Sequence, residues 1–323
     1  GCDEDPNLAT FPKANINTYF GKDNEIKMKA PIILPAVAKL NWDDYFAGAA
    51  LSGILAVVGE DVVGKDKDLI LKNGKVEESP LLREMVSSFK KYYMGYGDII
   101  VQANYDDENL GVLEYSITKL GIKSVELKFG QAAKGIQGMG KVKNIEDALK
   151  FQEMGYIVYP DPSDPIIAKN YEKGIGQVFE KIGKLPMWNE EILINRVSEL
   201  RALGAKRICF KTGPYDPKDL IRIIKIASKA GVDLITFDGA GGGSTVYMES
   251  LLYDILKKLD EKHYSLPQVA IAGGFTMEDH IYKGLALGAP YINFIAIGRG
   301  AMAAAFAGKQ IGELINKGKV PKE

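Results

Sequence analysis

The chain has 323 residues, 46% hydrophobic and 26% charged, an ordinary globular composition with enough length to bury the core of one large α/β domain. A net charge of −1 leaves no electrostatic footprint for nucleic acid or an anionic membrane surface, and the longest nearly uncharged early stretch, 46–59, is too short to span a bilayer. Two distant cysteines, Cys2 and Cys209, cannot build a disulfide framework or a cysteine metal cluster, which fits a cytoplasmic setting, and two histidines, His263 and His280, argue against a His-ligated metal or Ser-His-Asp chemistry.

Residues 1–30 precede the first strong strand signal and read as an N-terminal extension. Gly1-Cys2 in place of an initiator Met fits a truncated start, with a lipid-modified Cys2 as the alternative. Strand-like apolar runs then fall at 32–37, 54–58, 98–103, 124–129, 207–211, 234–237, 268–272 and 291–295. Helical patterns lie between them, at 42–51, 80–93, 109–120, 146–154, 190–203, 217–230, 246–260 and 276–287. "KLGIKS", "ALGAKR", "KAGVDL" and "ALGAPY" repeat one device, a helix stopped at Gly with a strand a few residues on. Eight such units predict a single (β/α)8 barrel, an α/β TIM barrel over 31–323, with a doubly wound open sheet as the alternative. The stretch 130–189 after strand four exceeds a minimal barrel and reads as an insertion, either a lid or substrate loop or a subunit contact.

Alternate residues of a strand face opposite sides, so the strand sequences also predict what fills the barrel. In "SVELKFG", Val125, Leu127 and Phe129 point to the helices, while Glu126 and Lys128 point inward. The same alternation turns Cys209 and Lys211 inward on strand five, Ile100, Gln102 and Asn104 on strand three, and Thr236 and Asp238 on strand six. A buried charge is costly unless paired, so an ion pair of Glu126 with Lys128 or Lys211 is the structural reading. Four strands carrying polar groups towards their C-terminal ends favour an active site.

Three late loops are rich in glycine: "DGAGGGST" (238–245), "AGGFT" (272–276) and "IGRGA" (297–301). The last two follow strands seven and eight, where barrels build phosphate sites from backbone N–H groups and a helix N-terminus. Arg299 is placed to pair with such a phosphate. No GxGxxG follows the first strand, so a Rossmann dinucleotide site is not indicated. A phosphate under these loops, Lys211 ending strand five and Gln102 on strand three together suggest flavin mononucleotide (FMN), with the lysine favouring the reduced ring.

Several segments resemble the FMN-binding synthase domain of the glutamate synthase large subunit. "VELKFGQAAKGIQG" looks like that family's E-I-K-x-x-Q-G-A-K-P-G signature, and "IIVQANYDDENLGVLEY" is similar to its K-Q-V-A-S-G-R-F-G-V-x-x-E-Y segment. "ICFKTG", "FDGAGGGST" and the run from "VAIAGGFT" to "IGRGAM" resemble its later stretches, in the same order. The resemblance implies an FMN barrel that reduces 2-iminoglutarate to glutamate. It places Gln102 and Lys211 against the flavin, with Ala36, Val37 and Ala38 beside the ring. It places Asp238, Gly239, Gly242, Gly243, Gly273, Gly274, Gly298 and Arg299 in the loops around the cofactor, and Glu126, Lys128, Gln131, Lys134 and Lys211 at the reacting end. Ala132 and Gly135 stand where the family has glycine and proline, and the cysteine-rich iron–sulfur loop and the amidotransferase domain are not in this sequence.

The sequence therefore predicts an FMN-dependent oxidoreductase acting on an imine or keto-acid-derived small molecule, with no metal. A homo-oligomer and a partner supplying electrons or ammonia are expected alongside. An FMN barrel with isomerase chemistry and a catalytically degenerate flavin-binding or assembly module are the alternatives.

Overall fold

The computed structural model describes residues 16–23, 26–37, 41–129, 139–176, 178–184, 188–213, 216–239 and 245–319, with backbone alone at residues 37, 139 and 245–249. Eight parallel strands close into a barrel: Ile32–Val37, Leu55–Val58, Asp98–Ala103, Ser124–Lys128, Arg207–Thr212, Leu234–Asp238, Gln268–Ala272 and Phe294–Ala296. The open-sheet alternative is thereby excluded. The eighth strand begins three residues later than its apolar run suggests, because Tyr291 and Ile292 are tied back to Gly288 O in the preceding turn. In the first strand the pairing register shifts between Leu34 and Val37, around Pro35, whose missing N–H cannot serve a regular ladder.

The period-two pattern separates two apolar layers. Val125, Leu127, Ile208, Phe210, Ile235 and Phe237 pack outward against the helices. Ile33, Leu55, Ile100, Cys209, Leu234 and Phe294 fill the lumen. The N-terminal extension contributes a hairpin, Thr18–Phe20 with Ile26–Met28, and its Phe20 and Met28 are fully buried in that lumen cluster. They floor the barrel at the N-terminal ends of its strands, where the Arg207 guanidinium lies over the Phe20 ring.

Helix Pro217–Ala230 shows how the outer ring is specified. Leu220, Ile224 and Ala227 repeat at helical spacing and are buried, the Asp216 carboxylate accepts from Lys218 N–H, and Gly231 at φ +71 ends the helix. Gly204, at φ +115, ends the preceding helix Glu190–Leu203 in the same way. The helix expected at 109–120 is instead two, Tyr105–Leu110 and Val112–Thr118, broken at Gly111. Its true start is Asn104, whose side chain accepts from Asp107 N–H as an N-cap and so leaves the inward row. The sequence reading also missed the last helix, Arg299–Asn316, which buries no residue fully and so carries a weak apolar stripe.

The insertion is folded. Strands Met139–Val142, Ile157–Tyr159 and Phe179–Ile182 form an antiparallel sheet, with helices Ile145–Glu153 and Pro165–Glu172. Val142, Ala148, Val158 and Phe179 give it a small core of its own. Among the described residues, no helix is long and apolar enough to cross a membrane.

Candidate active site

Parallel pairing in register brings the inward polar residues into contact at the C-terminal mouth. Gln102 lies opposite Glu126, Lys128 opposite Lys211, and Lys211 opposite Thr236. All five are at most 6% exposed. The Gln102 amide donates to Glu126 Oε1 at 2.5 Å. Burial pushes the Glu126 carboxyl above its ordinary range, and the charges of Lys211 and Lys128 together with the Gln102 hydrogen bond only partly offset this. Gln102 Oε1 is buried and has no hydrogen-bond partner among the described residues. Such an orphan acceptor is rare in a protein interior and marks a place for a ligand donor.

The ion pairs differ from the one anticipated. Lys128 Nζ reaches Glu60 Oε1 at 2.5 Å, and Lys211 Nζ stands 3.8 Å from Asp238 Oδ2. Glu60 was missed by the sequence reading. It sits in "VVGED", just past the second strand, where a loop carboxylate gives no periodic signal.

Asp238 joins this lumen to a second feature. It lines a cleft of about 350 Å³ together with Pro35, Gly239, Gly273, Gly274, Gly298 and Arg299. Gly274, at φ +80, holds a conformation that side chains disfavour, and so lets the seventh loop fold back along the cleft. Gly239 N–H donates to Ala272 O at 2.7 Å, which ties the sixth loop to the end of the seventh strand. Gly298 caps the helix Arg299–Asn316, so the positive end of an 18-residue helix meets the cleft with the exposed Arg299 as its first residue. The Arg299 guanidinium and the helix N-terminus would favour an anion here, against the opposing charge of the Asp238 carboxylate.

Ala36 is partly buried beside the lumen cluster, and Val37 ends the first strand opposite Val58. Ala38, Gln131, Lys134, Gly242 and Gly243 lie outside the described residues. Among the described residues, no group of three or more His, Cys, Asp or Glu side chains could hold a metal ion.

Fold and site define a (β/α)8 barrel with an ion-paired polar mouth next to a glycine-lined cleft. Neither a protein-family model nor a curated protein matches the chain. Solved structures do. A point mutant of FabK from Thermotoga maritima is 12% identical with a TM-score of 0.48, over 86% of this chain and 63% of that one. A point mutant of an active chimera of (S)-mandelate dehydrogenase is 15% identical with a TM-score of 0.50, over 94% of this chain and 77% of that one. The chain thus spans under two thirds of the first of these structures, and the likeness to the second is one of fold.

Proposed function

We propose that this chain is an FMN-dependent oxidoreductase that reduces an imine or keto-acid-derived substrate. One observation carries the reading: Asp238 lines the anion cleft and also faces the Lys211 ammonium, so the phosphate cradle and the charged barrel mouth are contiguous. Gly273, Gly274, Gly298 and Arg299 would hold the phosphate, and Gln102 Oε1 and Lys211 are the polar groups open to a ring. When bound, FMN supplies hydride transfer.

The chain's own residues supply the rest. Lys211 provides positive charge at the mouth, held loosely enough by Asp238 to turn towards an incoming anion. Burial raises the Glu126 carboxyl above its ordinary range, which suits it to the role of an acid that would donate a proton to substrate nitrogen or oxygen. Lys128, fixed by Glu60, offers a cation for a substrate carboxylate. Reduction of 2-iminoglutarate to glutamate is the finer form of this proposal and rests on the glutamate synthase resemblance, as does a partner that delivers electrons or ammonia. The mandelate dehydrogenase chimera is a dehydrogenase by name on a barrel of this fold, which agrees with an oxidoreductase and assigns no residue here.

The test is the visible spectrum of the purified protein, with release and identification of any chromophore. Flavin bands and released FMN, or uptake of added FMN, are expected. A colourless protein that takes up no FMN overturns the proposal.

A further inference from the structure

Among its contacts with the barrel, the folded insertion sends a buried cation to the loop after the second strand. Lys181, on the insertion strand Phe179–Ile182, is 7% exposed. Its ammonium lies 3.1 Å from Asp61 Oδ1, 3.8 Å from the centre of the Tyr156 ring and 5.0 Å from that of Phe151. The same Asp61 oxygen accepts from Tyr156 OH at 3.1 Å and from Asn104 Nδ2 at 3.2 Å. Asp61 N–H donates to Asp107 Oδ2 at 2.9 Å. Asp61 sits at φ +60, a left-handed backbone that is uncommon outside glycine and that Asp adopts more readily than most side chains. The residue before it is Glu60, the partner of Lys128.

We propose that Lys181 and Asp61 are positioning residues, through which the insertion sets Glu60 and so fixes the Lys128 ammonium in the barrel mouth. The two carboxylates are consecutive and point opposite ways, Glu60 to the lumen lysine and Asp61 to the insertion lysine. Three donors converge on the Asp61 side chain and a fourth bond holds its backbone N–H, which leaves the Glu60 Cα little freedom. Neutralising Lys181 takes away the ammonium that touches the Asp61 carboxylate, and a half-buried carboxylate in that state draws in water or turns away. Either response moves the adjoining Glu60. The inference rests on the proposed role of Lys128 at the mouth, but its test does not depend on flavin or substrate.

The test is acetic anhydride labelling of the whole chain at one mildly alkaline pH, with each lysine followed by mass spectrometry. In Lys181→Met, labelling of Lys128 is expected to rise about tenfold, since a buried ion pair holds its amine far more firmly than a surface pair. Labelling of Lys211, paired elsewhere, is expected to stay within about twofold of wild type. Lys181→Arg, which keeps the charge, restores the Lys128 value. Unchanged Lys128 labelling in a folded Lys181→Met, or equal rises at Lys128 and Lys211, overturns the inference. If Lys181→Met does not fold, Asp61→Asn carries the same comparison with the same readings. FMN uptake by the same proteins decides the proposed function separately.

Discussion

The Lys211 ammonium and the Asp238 carboxylate face each other from neighbouring strands at 3.8 Å, close enough to attract and too far to hydrogen-bond. If FMN is bound, Lys211→Met lowers its midpoint potential and Asp238→Asn raises it. Each shift is expected to be about 30 mV, the equivalent of ~1.4 kcal/mol for a two-electron couple. Dye-equilibration potentiometry checks both signs, and shifts in the same direction would contradict the arrangement.

Arg299 opens the last helix and is exposed, so its removal should spare the fold. Arg299→Ala is expected to weaken FMN binding about 10- to 100-fold, the worth of a charge-assisted phosphate contact. Riboflavin, which lacks the phosphate, should bind the variant and the wild type equally. Fluorescence titration with both flavins makes the comparison.

Gly274 holds φ +80 in the seventh loop. Gly274→Ala is expected to cost about 1–3 kcal/mol of stability through backbone strain, and to weaken FMN affinity as the loop withdraws. Thermal unfolding gives the first quantity, and FMN titration below the transition gives the second.

Phe20 is wholly buried among lumen residues although it comes from the extension rather than the barrel. Phe20→Ala should cost about 3–5 kcal/mol, as for other large core truncations. Urea unfolding checks it, and a loss below about 1 kcal/mol would show that the hairpin merely covers the barrel.

Asp107 and Asp61 predict opposite pH dependences. Burial and the Asp61 charge push Asp107 well above the carboxylate range, so its contribution to stability is complete in acid and is lost as pH rises towards its folded value. Asp61 is lowered although burial alone would raise it, because Lys181 and its other donors together outweigh burial, so its contribution is present at neutral pH and is lost as pH falls. Relative to wild type, Asp107→Asn should therefore gain stability with rising pH and Asp61→Asn should lose it, each by at most about 1.4 kcal/mol per unit. Unfolding midpoints across the acid-to-neutral range test both slopes.

The sequence made the barrel legible because its signals are local and periodic. "VELK" turns two charges inward by alternation alone, and the structure places both Glu126 and Lys128 there, nearly buried. The partner of Lys128 was not legible: Glu60 lies 68 positions away, and only the pairing of the second, third and fourth strands brings it to 2.5 Å. Alternation turns Asn104 inward, yet its Oδ1 caps a helix by accepting from Asp107 N–H while its Nδ2 donates to Asp61, because a short polar side chain at a strand end readily bonds a nearby free N–H group. The insertion's sheet escaped notice because its strands have three or four residues each, too few for a pattern.

The hairpin under the barrel also gives the lumen a closed end. Phe20 and Met28 plug the N-terminal end of the lumen with apolar side chains, and Glu126, Lys128 and Lys211 lie towards its other end. A small molecule that reaches those polar groups would therefore come in from the C-terminal end of the barrel.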